Sequence, residues 1–330
     1  MRHEASELTV IVPTWNRRDL LRGCLEALER QTAPVQILVV DDGSTDDTAS
    51  LVREAYPHAA LLSLERNLGF AAAANRGLLR VATPYAALLN NDAEPDSRWA
   101  EAGLRALREA PREFGFFASR ILQAEHPHLL DAAGDLYSRT GLPTKRGWGE
   151  AADRYLAPEE VMGASAGAAF YRMEMLRHTG FFDEDFVMYL EDVELSLRAR
   201  LHGYRCGYLP DAVVLHREAA SDPDRTSSGA GKTPRAFYSD RRVYWITRNR
   251  WLLMVMYQPW RHLPWLVLGW TRSLLFHSVK AGHTGAFLRG IAAGWAATPV
   301  ALRKRRRLMR DFPEAFRELW RVMTPYWPCA

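Results

Sequence analysis

At 330 residues, with 25% charged and 48% hydrophobic side chains, the chain can bury a core for one large domain or a domain with an appendage, which excludes a disordered protein. The net charge of +4 conceals an asymmetry: residues 1–235 carry 27 Lys/Arg against 35 Asp/Glu, and residues 236–330 carry sixteen against four. Cys24, Cys206 and Cys329 are odd in number and lack paired or metal-type spacing, so they indicate neither a disulfide framework nor a zinc site and suit a reducing compartment.

The N-terminus, Met-Arg-His-Glu-Ala-Ser-Glu, runs directly into a strand without the apolar stretch of a secretory signal, so the reading is a protein that stays inside the cell. From Leu8 to Ser119 short apolar runs alternate with helical patterns, as in βαβ units around a parallel sheet. Strands are predicted at Leu8–Val12, Ile37–Asp41, Ala60–Leu64, Tyr85–Leu89 and Phe114–Ala118. Leu21, Leu25 and Leu28 recur at helical spacing after Asp19, a first-turn acid. A second helix is predicted near Asp46, with Ser44, Thr45 and Asp46 offering caps.

Residues 120–160, punctuated by Gly134, Gly141, Pro143, Gly147, Gly149 and Pro158, predict a hairpin and a mobile flap. Regularity returns at Phe170–Tyr171, a helix from Met173, a helix over Glu191–His202 and a strand over Ala212–His216. Ala219–Pro234 reads as a loop or lid. Beyond Phe237, the apolar runs Trp251–Tyr257 and Leu263–Trp270 are too short to span a membrane. With eight of the eleven tryptophans and the run Arg303–Arg307, they predict helices lying in a membrane interface, the basic residues near headgroup phosphates. A homodimerisation arm is the alternative, and nucleic acid is not the predicted partner.

Three constellations carry chemistry. Val39-Val40-Asp41-Asp42-Gly43-Ser44 delivers two carboxylates to the C-terminal edge of a parallel sheet, where ligands bind. A carboxylate there accepts from the N3–H of uracil or thymine; the alternative is a capped tight turn. Leu89-Asn90-Asn91-Asp92 offers one acid for a hard cation, Mg2+ or Mn2+, whose remaining ligands come from a diphosphate and water, with the two amides free for ribose or phosphate. The competing reading is an Asx-turn. Met188-Tyr189-Leu190-Glu191-Asp192 places Asp192 at a helix start, as a base for an incoming hydroxyl or as an ordinary macrodipole partner.

In this order and spacing the motifs resemble glycosyltransferase family 2, with its GT-A fold. The resemblance includes Pro13-Thr14-Trp15-Asn16-Arg17, Arg66-Asn67-Leu68-Gly69-Phe70, Gly163-Ala164-Ser165-Ala166-Gly167 and His216, and covers about residues 8–217. It implies an α/β fold with a Rossmann-like, mostly parallel central sheet flanked by helices. Residues 1–235 form the catalytic domain and residues 236–330 a helical segment for membrane or partner. Pro13, Thr14, Asn16, Asp41, Asp42, Asn67, Gly69, Asn75 and Asn91 are implied to face the nucleotide sugar. Asp92 and His216 are implied metal or diphosphate ligands, Asp192 with Glu191 the catalytic pair, and Ser165 and Gly167 the acceptor side; Gly163–Gly167 also reads as a small-residue packing turn.

Within the family, Asn90-Asn91-Asp92, Gly180-Phe181-Phe182-Asp183-Glu184 and Trp245–Arg250 are most similar to rhamnosyltransferase-type members of cell-surface polysaccharide assembly. That implies rhamnose from a dTDP donor, with a UDP- or GDP-hexose as the alternative. It also implies a lipid-linked or glycan acceptor and an enzyme on the inner face of the cell membrane. A nucleotidyltransferase would want a Gly-rich triphosphate loop where Pro13–Arg18 stands. A dehydrogenase would want Gly-x-Gly-x-x-Gly after the first strand. A non-catalytic binding module would have no use for both Asp92 and Asp192.

Overall fold

The computed structural model describes residues 6–217, 239–276 and 282–325. The lid read at Ala219–Pro234 and Cys329 lie outside the described residues.

In the first half the five predicted strands and two predicted helices are present, joined by α3, β5 and α4: β1 (Leu8–Thr14), α1 (Arg18–Glu29), β2 (Gln36–Asp41), α2 (Thr48–Ala55), β3 (Ala60–Ser63), α3 (Phe70–Leu78), β4 (Tyr85–Leu89), β5 (Ala93–Pro95), α4 (Trp99–Glu109) and β6 (Phe114–Gln123). β1 is buried along its whole length. Its alternate residues feed opposite cores: Val10 and Val12 meet α1 and α4, and Ile11 meets α3. Gly77 lets α3 lie close to β1, since a Cβ there would stand 2.6 Å from Ile11 Cγ2. The α2 start slips to Thr48, because Ser44 Oγ is taken up by Asn16 N while Asp46 Oδ1 accepts from Thr48 N.

The second half comprises β7 (His126–Ala132), the hairpin β8 (Asp135–Tyr137) and β9 (Pro143–Lys145), β10 (Glu159–Val161), β11 (Ala168–Arg172), α5 (Met173–Thr179), α6 (Glu191–Leu201) and β12 (Arg205–His216). The central sheet runs β10-β12-β6-β11-β4-β1-β2-β3, with β5 on β12 and β7 on β6. β3, β2, β1 and β4 are parallel, β11 inserts antiparallel, and β12 runs parallel to β6. Two readings change. The predicted hairpin is present, but the flap is not: β7 and β10 are paired into the sheet, and Leu130, Asp131, Ala132 and Tyr137 are buried. β12 starts seven residues earlier than predicted, because its pairing with β6 skips between Leu209 and Val213 and so passes Pro210 without a ladder bond.

The C-terminal part forms α7 (Asp240–Tyr257), α8 (Leu263–Leu275), α9 (Thr284–Asp311) and α10 (Pro313–Glu318). The interfacial reading of Trp251–Tyr257 is corrected: Leu252, Leu253, Val255, Met256 and Tyr257 pack in one core with Val193, Leu197 and Leu201 of α6. α6 is therefore covered on both faces, by the sheet through Leu195 and Ala199 and by α7 on the other side. The basic run is corrected in part. Lys304 pairs with Asp183 and Asp185, and the buried Arg305 donates to carbonyls of Val255 and Gln258, leaving Arg303, Arg306 and Arg307 exposed. No helix among the described residues is long and apolar enough to cross a membrane.

Candidate active site

The motifs meet along the C-terminal edge of the parallel strands. At the end of β2, Asp41 Oδ1 accepts from Ser44 N at 2.9 Å and closes the Gly43 turn. Asp42 accepts from Leu68 N (2.8 Å) and Gly69 N (2.9 Å), tying β2 to the start of α3. Burial raises the Asp42 carboxyl to about 6 against these two amides. Each carboxylate oxygen retains a second lone pair for a ligand. Gly43, at φ 71°, is required here, because a Cβ would stand 2.5 Å from the Arg66 carbonyl carbon.

The turn after β1 is knitted to the same loop: Thr45 N donates to Asn16 Oδ1 at 2.9 Å, and Asn91 Nδ2 donates to Thr14 Oγ1 at 2.8 Å. Pro13 is buried opposite Val40, and Asn67 is exposed beside the Gly43 turn. Arg241, in the first turn of α7, lies 5.1 Å over the Trp15 ring and contributes to the field at Asp42, so the C-terminal part reaches the loops after β1 and β2. Asn75 is a correction. Its amide donates to Phe182 O and Glu184 Oε1 and its oxygen accepts from Phe182 N, so it holds the turn before the Glu191-Asp192 motif instead of facing the donor.

Beyond β4, Asp92 is buried with its Oδ1 3.2 Å from His216 Nε2, at the end of β12. His216 Nδ1 lies 2.8 Å from Asp131 Oδ2, and Lys145 Nζ lies 2.6 Å from Asp131 Oδ1. Burial favours the neutral imidazole, yet Asp92 and Asp131 outweigh it and raise His216 to about 10. Asp131 is held well below the usual range, since Lys145 and His216 overcome its burial. A carboxylate oxygen and an imidazole nitrogen facing one another fit a divalent cation that takes its other ligands from diphosphate and water. Among the described residues no group of three or more His, Cys, Asp or Glu is placed to hold a metal. The protein's share of such a site would be this pair, with Asp131 orienting the ring.

Asp192 sits in the first turn of α6, half-buried. Its Oδ2 accepts from Ala166 N at 3.0 Å and its Oδ1 from Val193 N at 2.8 Å. The Gly163–Gly167 loop therefore reaches the site through a backbone amide, while Ser165 and Gly167 turn the chain into β11 and Gly167 O accepts from Asn90 N. Burial moves Asp192 above the usual carboxylate range despite those amides, toward the range in which a carboxylate accepts a proton most effectively at neutral pH. Glu191 is more deeply buried, its Oε2 has no hydrogen-bond partner among the described residues, and burial together with Asp192 raises it strongly.

Sequence reasoning missed Asp131 and Asp135. Asp135 is buried on β8, its Oδ2 has no hydrogen-bond partner among the described residues, and burial and the charge of Asp192 raise it well above the normal range. Only their position near Gly134 in the loop-rich segment could have drawn notice.

Comparisons with known proteins bear on this arrangement. The profile described as Glycosyl transferase family 2 matches residues 9–180, and that of Glycosyl transferase family group 2 matches residues 149–303. N-acetylglucosaminyl-diphospho-decaprenol L-rhamnosyltransferase of Mycobacterium tuberculosis is 29% identical over 279 residues, 74% of this chain and 89% of that protein. Glycosyltransferase AglE of Haloferax volcanii is 32% identical over 106 residues, 30% of this chain and 35% of that one. S. aureus TarS 1-349 in complex with UDP-GlcNAc superposes with a TM-score of 0.55 at 16% identity, over 95% of this chain and 90% of that one. Mannosyltransferase PcManGT from Pyrobaculum calidifontis, in complex with GDP-Man and Mn2+, gives 0.51 at 19% identity, over 94% and 75%. The two structural likenesses establish the GT-A fold.

Proposed function

The chain belongs to glycosyl transferase family 2 and is a glycosyltransferase acting on a nucleotide sugar; from that premise we propose that it transfers rhamnose, with inversion, from a dTDP donor to a hydroxyl of a lipid-linked amino sugar in cell-surface glycan assembly. The observation that carries the reading is Asp192, half-buried, held by two backbone amides and raised above the ordinary carboxylate range. The M. tuberculosis rhamnosyltransferase, aligned over three quarters of the chain, supports the sugar and the acceptor class.

Asp192 takes the proton of the acceptor hydroxyl as that oxygen forms its bond to the anomeric carbon, and the bond from that carbon to the diphosphate breaks on the opposite face. Ala166 N–H keeps the carboxylate oriented. Asp42, Thr14, Asn16 and Asn91 form the hydrogen-bonded wall on which the nucleoside rests. Asp92 and His216 would hold Mg2+ or Mn2+, which when bound supplies Lewis-acid stabilisation of the departing diphosphate.

Exposed side chains on and beside α8 and α9 support attachment to the inner leaflet of the cell membrane. Trp260, just before α8, and Trp295 of α9 are 60% and 61% exposed, Val267 and Leu275 of α8 and Leu288 of α9 are also exposed, and Arg303, Arg306 and Arg307 are exposed further along α9. Exposed Trp and aliphatic side chains with cationic neighbours suit an anionic lipid surface, and such attachment brings a lipid-linked acceptor to Asp192.

The test is a transfer assay with N-acetylglucosaminyl-diphospho-prenol as acceptor and dTDP-rhamnose, UDP-hexoses and GDP-mannose as donors, with Mn2+ or with EDTA. Rhamnosylated lipid with inverted anomeric configuration, formed only with metal, is the expected result. Product from a UDP- or GDP-hexose alone would replace the donor assignment, and full activity in EDTA would remove the metal.

A further inference from the structure

The four residues that precede Glu191-Asp192 have a backbone that the sequence alone would not adopt. Val187 has φ 61° and ψ −63°, and Met188 N donates to Phe186 O at 2.6 Å, which makes Val187 the centre of a γ-turn of the rare, strained sense. Tyr189 and Leu190 follow with φ of 66° and 67°, and Leu190 is the residue from which α6 begins. Three of four consecutive non-glycine residues have positive φ, one of them β-branched, and such strain persists only where the surroundings hold it.

The hold comes from the C-terminal part. Asn249 of α7 is fully buried, and its Nδ2 lies 2.7 Å from Phe186 O, 2.9 Å from Met188 O and 2.8 Å from Tyr189 O. Three converging carbonyls identify the donor end of the amide, whose two hydrogens they share. Its own oxygen is kept outward by Arg248, which also donates to Asp185 O at 2.7 Å. From the other side Ala71 N donates to Val187 O, and Gly69 leaves room for Val187, whose Cγ1 would stand 2.6 Å from a Cβ there.

We propose that Asn249 is a positioning residue of the transfer reaction: by collecting three carbonyls of the 186–189 turn it fixes the strained start of α6 and thereby the place of Asp192. The proposal rests on Asp192 being the base. It makes α7 a working part of the active centre, even though the net charges of the two parts of the chain suggest an appendage.

The experiment compares full-length wild type, Asn249→Ala, Asn249→Asp and Asp192→Asn by transfer from dTDP-rhamnose to N-acetylglucosaminyl-diphospho-prenol and by hydrogen exchange of residues 186–193. Both Asn249 variants should lose about 100-fold in kcat, the scale of a misplaced reacting group, with donor KM unchanged. Exchange at 186–193 should accelerate while β1 and β4 keep their protection. Asp fills the same space with the wrong hydrogen-bonding sign, so a role in packing alone predicts that it rescues. Wild-type kcat in either variant, or unchanged exchange at 186–193, overturns the proposal. Normal turnover of Asp192→Asn removes the base reading instead, and the exchange result still decides whether Asn249 holds the turn.

Discussion

His216 lies between two carboxylates, and its charge links the site to pH. Its pKa in the folded chain is raised from 6.5 to about 10, so its stabilising contribution is complete below about pH 6.5 and is lost as pH rises toward 10. The metal-free wild type should therefore exceed His216→Gln in Tm by the most near pH 6, and the difference should vanish near pH 10 in thermal melts with EDTA. A difference that does not vary with pH would contradict the charged bridge. Because a metal ligand must be the neutral ring, Mn2+ binding should release a proton, which calorimetry in buffers of different ionisation enthalpy detects.

At this scale the sequence was most legible where a motif ends a strand. Asp41, Asp42, Asn91 and Asp92 each gather at the edge that an apolar run followed by acids implies. Asn75 and Asn249 were not legible as holders of the turns before Asp192, because their partners are carbonyls about 107 and 60 residues away, and main-chain acceptors leave no mark in a sequence.

Among the elements, α6 shows why periodicity alone understates a helix. Buried on both faces, it lacks a single apolar stripe. Its buried Glu194 accepts from Arg198 at 2.7 Å and from Tyr257 Oη at 2.7 Å, while Arg198 also donates to the carbonyls of Thr179, Gly180 and Phe181. Glu194→Gln should cost about 3 kcal/mol in urea unfolding, since it leaves the buried guanidinium without its counter-charge. A loss within experimental error would show that the carbonyls suffice. The loop-rich stretch between 120 and 160 was the least legible, because β10 takes its partner from the distant β12, and Gly and Pro punctuation does not distinguish a strand such as β7, paired locally with β6, from a flap.

For the whole molecule, the contrast between an acidic first part and a basic second part suggests a catalytic unit with an attachment, and the packing modifies that picture. α7, with Ala301 and Leu308 of α9, closes the core of α6, while α8 and the first half of α9 carry an exposed apolar surface. Replacing Val267, Leu275, Leu288 and Trp295 together by Ser should abolish flotation with phosphatidylglycerol-containing liposomes and leave donor binding intact, because none of these residues touches the site. Equal flotation of the two proteins would transfer that face to a second copy of the chain. Transfer as a whole depends on Asp192. Its most direct test is transfer by Asp192→Asn beside a donor-binding isotherm: rhamnosyl transfer should fall by at least about 1000-fold with donor affinity within experimental error of wild type, and turnover at the wild-type rate would contradict the mechanism.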